Sequence, residues 1–83
     1  MNNVLQGVRE FIQAKSASRR GGAHVADDES LFGSGIIDSM GIFELVTFLE
    51  DRFGVQIPDE EILRRNFESA QRIVDFIGAK LKP

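Results

Sequence analysis

Ser39 is the residue whose surroundings promise chemistry. It stands in Gly35-Ile36-Ile37-Asp38-Ser39-Met40 and leads directly into the amphipathic segment 41–53. A helix N-terminus presents unpaired backbone N–H groups and a partial positive charge, so a serine hydroxyl at that mouth is a favourable place for an attached phosphodiester. The same position also suits a plain capping residue, and the flanking residues have to decide between the two. As a catalytic nucleophile Ser39 has no local histidine or lysine to activate it. The chain has no cysteine, which removes disulfides, thiolate metal sites and thiol nucleophiles together. Any thiol chemistry must arrive on an added group, and the chain is not expected to be an enzyme by itself.

The acidic residues are segregated. Between positions 27 and 61 ten acids stand against one base, Arg52, giving −9, while the remainder of the chain carries +6. Such a run is either a solvated face or an acidic docking surface for basic partner proteins. The basic residues are scattered over both ends without interleaved exposed aromatics, so nucleic acid is a poor fit. Asp27-Asp28-Glu29 and Asp59-Glu60-Glu61 lack the alternating oxygen ligands and glycine of a calcium loop, and no metal site is expected. His24, the single histidine, is expected to be exposed to solvent.

These residues must be positioned by a small scaffold. Eighty-three residues make one domain, 1–83, with a core too limited for an active site of ordinary depth. No apolar run approaches a membrane span and residues 1–11 do not read as a signal peptide, so a cytoplasmic, monomeric protein is the expectation. Val4, Leu5, Val8, Phe11 and Ile12 predict a first helix over residues 3–15. Ser16-Ala17-Ser18-Arg19-Arg20-Gly21-Gly22 then reads as the start of a loop of about twenty residues, longer than compact domains usually carry. Leu31, Phe32, Ile36 and Ile37 are the candidate anchors of its second half.

The second helix is predicted over residues 39–53. Ile42, Leu45, Val46, Leu49 and Phe53 fall within one arc of about 100° and form its core face. Met40, Glu44, Thr47 and Asp51 project on the opposite side, with Phe43 and Glu50 beside them. Apolar residues among carboxylates there predict a partner-facing patch, unless the long loop covers them. Pro58 followed by three acids predicts a short third helix. Ser69 is the predicted cap of a last helix to Leu81, buried through Ile73, Phe76, Ile77 and Leu81. Phe11, Phe53, Phe67 and Phe76 are assigned to the core, where they could also border a cavity. The expected fold is all-α, a small four-helix bundle of three longer helices and one short one, with a long loop between the first two.

Leu31-Phe32-x-Ser34-Gly35-Ile36-Ile37-Asp38-Ser39-Met40, then Glu44-Leu45, then Phe53-Gly54-Val55-x-Ile57-Pro58, closely resembles the acyl carrier protein family over about residues 27–77. The resemblance implies that Ser39 carries 4'-phosphopantetheine, placed there by a phosphopantetheinyl transferase, and that the arm supplies the missing thiol. It implies helix two as the recognition helix. Met40, Phe43 and Thr47 would then lie in the docking patch, with Glu44, Glu50, Asp51, Asp59 and Glu60 as its charged surroundings, and Asp38 would cap the helix and help a basic transferase find the site. Gly41, in Asp-Ser-Met-Gly, departs from the polar residue typical of fatty acid synthesis carriers. With Glu-Leu and Glu-Asp-Arg-Phe it looks like the pattern of D-alanyl carrier proteins and related stand-alone aminoacyl carriers. The implied function is an acyl or aminoacyl thioester carrier in a specialised pathway, loaded by an acid- or amino-acid-activating ligase. A fatty acid or polyketide carrier and a non-carrier acidic interaction domain remain the alternatives.

Overall fold

The computed structural model describes residues 3–19, 21 and 24–82. Arg20 and Gly22 of the predicted loop, and the terminal Pro83, lie outside the described residues. Three α-helices form among the described residues: α1 (Asn3–Arg19), α2 (Gly41–Phe53) and α3 (Ala70–Leu81). Two 3-10 turns, Asp59–Glu61 and Arg64–Asn66, occupy the interval between α2 and α3, and no strand is present among the described residues.

α1 runs past Lys15, where the sequence predicted its end. Val8, Ile12 and Ser16 are all buried at four-residue spacing, so the inward stripe continues one turn through a serine that hydropathy alone does not register. α1 also approaches the end of α2 closely at Gly7, where an added Cβ would meet Phe53 Cζ at 2.9 Å. α2 buries Ile42, Leu45, Val46 and Leu49 and keeps Phe53 half-buried, as its periodicity predicts. It stops at Gly54, whose φ of 67° is left-handed and whose N–H reaches Glu50 O at 3.0 Å.

The chain before α2 is anchored rather than loose. Leu31, Ile36 and Ile37 are buried, with Phe32 half-buried. Leu31 N–H donates to Glu68 O at 2.7 Å, Ile37 N–H to Leu31 O at 3.0 Å, and Gln71 N–H to Asp27 O at 2.9 Å. These bonds stitch the segment to the start of α3 and satisfy backbone groups that burial would otherwise leave unpaired.

The predicted short third helix does not form as an α-helix. Pro58 and Leu63 are both extended, at ψ 157° and 142°, so each three-residue 3-10 turn is bounded before a helical ladder can propagate. Side-chain bonds favour the turns: Glu61 pairs with Lys80 of α3, and Asn66 Nδ2 donates to Glu61 O at 2.9 Å. The four-helix bundle expected from sequence is therefore a three-helix core wrapped by the turn-containing segment 55–69. Phe67 plugs that segment into the core, fully buried and edge-on to Phe76 with ring centroids 5.4 Å apart. Ser69 caps α3 by accepting from Arg72 N–H at 3.2 Å, as predicted. Ile73 and Ile77 are buried, but Leu81 is 47% exposed and lies past the end of the core stripe.

Candidate functional site

Asp38, not Ser39, caps the start of α2. Its carboxylate Oδ1 accepts from Gly41 N–H at 2.7 Å and Met40 N–H at 3.1 Å, while its carbonyl accepts from Ile42 N–H at 3.2 Å. Those are the bonds of an N-cap residue, and Met40 already has helical backbone angles, φ −86° and ψ −38°. Ser39 consequently sits within the first turn. Its side chain is exposed and makes no hydrogen bond among the described residues. The capping reading of this serine fails, and a nucleophilic oxygen is left open at the positive end of α2.

Gly41 contributes to this geometry. An added Cβ there would lie 3.2 Å from Asp38 Oδ1 and 3.9 Å from Ile37 Cγ2, so the missing side chain lets the carboxylate close tightly over the helix start. Ile36 and Ile37, buried just before the cap, fix the direction from which the chain delivers Ser39.

Beside Ser39 lies an open groove of about 390 Å³ lined by Phe32, Ser39, Ile42, Phe43, Ile62 and Arg64. It is bordered by Phe32 and Phe43, not by Phe11, Phe53, Phe67 or Phe76, the phenylalanines assigned to the core from sequence. Phe67 is fully buried, and the other three are half-buried against the core. A larger concavity, of about 520 Å³, runs along Glu50, Val55, Gln56, Ile57 and Pro58, but it does not include the serine.

The expected docking residues divide into two groups. Met40 is 78% and Phe43 57% exposed, so the loop does not cover the apolar patch. Thr47, Asp51, Asp59 and Glu60 are also exposed. Glu44 is exposed but pairs with Lys15 Nζ at 2.6 Å, a cation brought over from α1. Glu50 is half-buried, and its Oε2 accepts from Ile57 N–H at 2.9 Å. It fastens the 55–58 segment to α2 and is a structural acid in addition to any surface role.

Arg64 and Ile62 were not singled out from sequence. Arg64 stands four residues before Glu68, and its Nε donates to Glu68 Oε1 at 3.2 Å while the guanidinium lies 4.8 Å from the Phe32 ring centroid. Glu68 also accepts from Ser30 Oγ, and this bond first, then Arg64, holds its carboxyl below the ordinary glutamate value. The i, i+4 spacing was the available signal; the fold that carries it to the serine was not readable. His24 is exposed as expected. No group of three or more His, Asp or Glu side chains among the described residues gathers into a metal site, and no described helix is long and apolar enough to cross a membrane.

An exposed hydroxyl at a helix mouth, with a groove next to it, fits a bulky phosphate-linked group. Residues 14–77 match the family described as "Phosphopantetheine attachment site". The D-alanyl carrier proteins of Streptococcus sanguinis and Streptococcus gordonii are each 44% identical over 50 residues, covering 60% of this chain and 63% of theirs. The D-alanyl carrier protein of Streptococcus suis is 43% identical over the same length. The match thus spans less than two thirds of those relatives. The chain belongs to the phosphopantetheine-binding carrier protein family, whose members bear a covalently attached 4'-phosphopantetheine.

Proposed function

We propose that Ser39 Oγ is the attachment atom and that the chain carries an aminoacyl or short acyl group as a thioester on the arm. The observation that carries this reading is the division of labour at the start of α2: Asp38 supplies the cap and leaves the Ser39 hydroxyl exposed and unbonded. On modification Ser39 Oγ attacks the pantetheine-side phosphorus of coenzyme A: the Oγ–H and pyrophosphate P–O bonds break, an Oγ–P bond forms, the proton passes to a base of the phosphopantetheinyl transferase, and adenosine 3',5'-bisphosphate leaves. The new phosphodiester then lies against the N-terminal N–H groups of α2, where the helix dipole favours its charge. A ligase activates the cargo acid as an adenylate. The arm's thiol attacks that acyl carbon, its C–O bond to phosphate breaks, adenosine monophosphate leaves, and the thioester remains.

Met40, Phe43 and Thr47 form the contact patch for these partners, with Asp38, Glu44, Asp51, Asp59 and Glu60 around it. The resemblance to D-alanyl carrier proteins supports an amino acid cargo over bulk fatty acid synthesis. Intact mass after incubation with a phosphopantetheinyl transferase and coenzyme A tests the attachment. The wild type should gain one arm and Ser39→Ala none; an unmodified wild type, or modification retained in Ser39→Ala, refutes it. Competitive loading of the holo protein by amino-acid-activating ligases and by a malonyl transferase then tests the cargo. Efficient malonyl loading with no aminoacyl thioester overturns the aminoacyl reading.

A further inference from the structure

We infer that Arg64 is a preset clamp for the phosphodiester of the arm, and that the groove beside it holds the arm's first apolar carbons when no partner is bound. This rests on the Ser39 reading and concerns what the chain does with the arm once attached. The groove shares a wall with Ser39, so the part of a Ser39-linked arm that reaches it first is the proximal part: a phosphodiester, then a carbon bearing two methyl groups. Its walls offer a partner for each part. Arg64 is the one charged residue among its six lining residues, and Phe32, Ile42, Phe43 and Ile62 are apolar.

Arg64 is held in place before any ligand arrives. Phe32 lies under the guanidinium, Glu68 takes the Nε proton, and Ser30 in turn holds Glu68. The terminal nitrogens make no hydrogen bond among the described residues, and the side chain is 67% exposed. A planar guanidinium with both terminal nitrogens available is the side-chain geometry best suited to two phosphate oxygens. The pair with Glu68 does not use up the cation, because it engages only Nε. A cation on the groove wall also answers the local charge problem. Asp38 stands next to the modified serine and repels its phosphate, whereas Arg64 attracts it.

The test compares apo and holo protein by two-dimensional amide and arginine side-chain NMR and by 31P NMR, for wild type, Arg64→Gln and Arg64→Lys. Mass spectrometry first establishes complete loading of each. If the wild type takes up no arm, the Ser39 reading falls and this inference falls with it. In loaded wild type, shift changes are expected at Phe43, Ile62 and the Arg64 Nε–H as well as at Met40 and Gly41, and added salt should diminish those at Arg64. Arg64→Gln should lose the changes at Phe43 and Ile62, keep those at Met40 and Gly41, and sharpen the 31P line. Arg64→Lys, which keeps the charge without the fork, should fall between. Unchanged amide positions at Leu31 and Ile73 confirm that each variant retains its core. Holo wild-type changes confined to residues 38–41, or a 31P line and groove shifts that Arg64→Gln leaves unaltered, would overturn the clamp.

Discussion

Replacing Asp38 by alanine removes the cap of α2 while leaving Ser39 and the core untouched. Asp38 Oδ1 takes the N–H groups of Gly41 and Met40, at 2.7 and 3.1 Å. Loss of such an exposed cap costs about 1 kcal/mol. The negative charge at the helix start adds about 0.5 kcal/mol, screened by water. At about 4–8 °C per kcal/mol for a domain of this size, Asp38→Ala should lower Tm by about 6–12 °C. Asp38→Asn keeps an acceptor oxygen and should lose only the smaller share. The decisive comparison adds Gly41→Ala. Alanine in a helix gains up to about 1 kcal/mol over glycine, less in the first turn. With Asp38 present, the new Cβ would crowd Oδ1 at 3.2 Å and give that gain back. In Asp38→Ala the obstacle is gone, so Gly41→Ala should be near neutral in wild type and stabilising in the variant, a coupling of about 0.5–1 kcal/mol. Thermal and urea denaturation followed by circular dichroism measure the four proteins of this cycle and Asp38→Asn. An Asp38→Ala cost below about 0.3 kcal/mol, or the same Gly41→Ala effect in both backgrounds, would refute the cap argument.

Phe67→Ala empties a fully buried, edge-stacked position and should cost about 3–5 kcal/mol, enough in a marginally stable small domain to give a large fall in the urea midpoint. Asp51→Lys, exposed on the face opposite the core stripe, should slow loading by the cognate transferase about tenfold at low salt with unchanged helicity. Equal rates at every salt concentration would count against electrostatic docking. Glu68 and Asp27 are held below their ordinary values of 4.5 and 3.8, Glu68 first by Ser30 and Asp27 first by its hydrogen bond from Arg9. Both are therefore more acidic folded than unfolded, so their contribution is complete above those ordinary values and disappears as pH falls through the lowered ones. Tm should drop on acidification below about pH 4.5, and Ser30→Ala should flatten the upper part of that drop.

What the sequence made legible was whatever a local period encodes. α2 and α3 have apolar stripes at helical spacing, and Ile42, Leu45, Leu49, Ile73 and Ile77 are buried as that spacing requires. The Ser69 cap follows from a serine placed just before such a stripe. The errors arose where tertiary contacts override local preference. Ser16 is buried because α1 packs on along its length, so a polar residue extends a helix that composition would end. Segment 55–69 has proline and acids suited to a helix start, yet Lys80 and Phe67 draw it into two short turns against α3. At the site, Ser39 was legible as a motif residue and Asp38 as a candidate cap; that Asp38 alone takes the N–H groups and leaves Ser39 unbonded depends on how the chain turns before α2. Arg64 reaches the groove only through the turns that pattern reading did not anticipate.

The acidic surplus also changes meaning once the side chains are placed. Asp27, Glu44 and Glu61 are paired with Arg9, Lys15 and Lys80, cations drawn from the basic ends of the chain, so part of the sequence-level segregation is neutralised within the fold. Asp38 and Glu50 spend their carboxylates on backbone N–H groups, which orients them without cancelling their charge. Asp51, Asp59 and Glu60 are exposed. The field around α2 is therefore still negative but less concentrated than the sequence suggests, and exposed charges of this kind govern encounter rates more than affinity. If this face docks basic partners as proposed, discrimination among them would fall to Met40 and Phe43, the exposed apolar side chains near Ser39 that a fitting surface would desolvate. Charge would bring many partners to this face, and the shape of two side chains would decide which of them stays long enough to act on the serine.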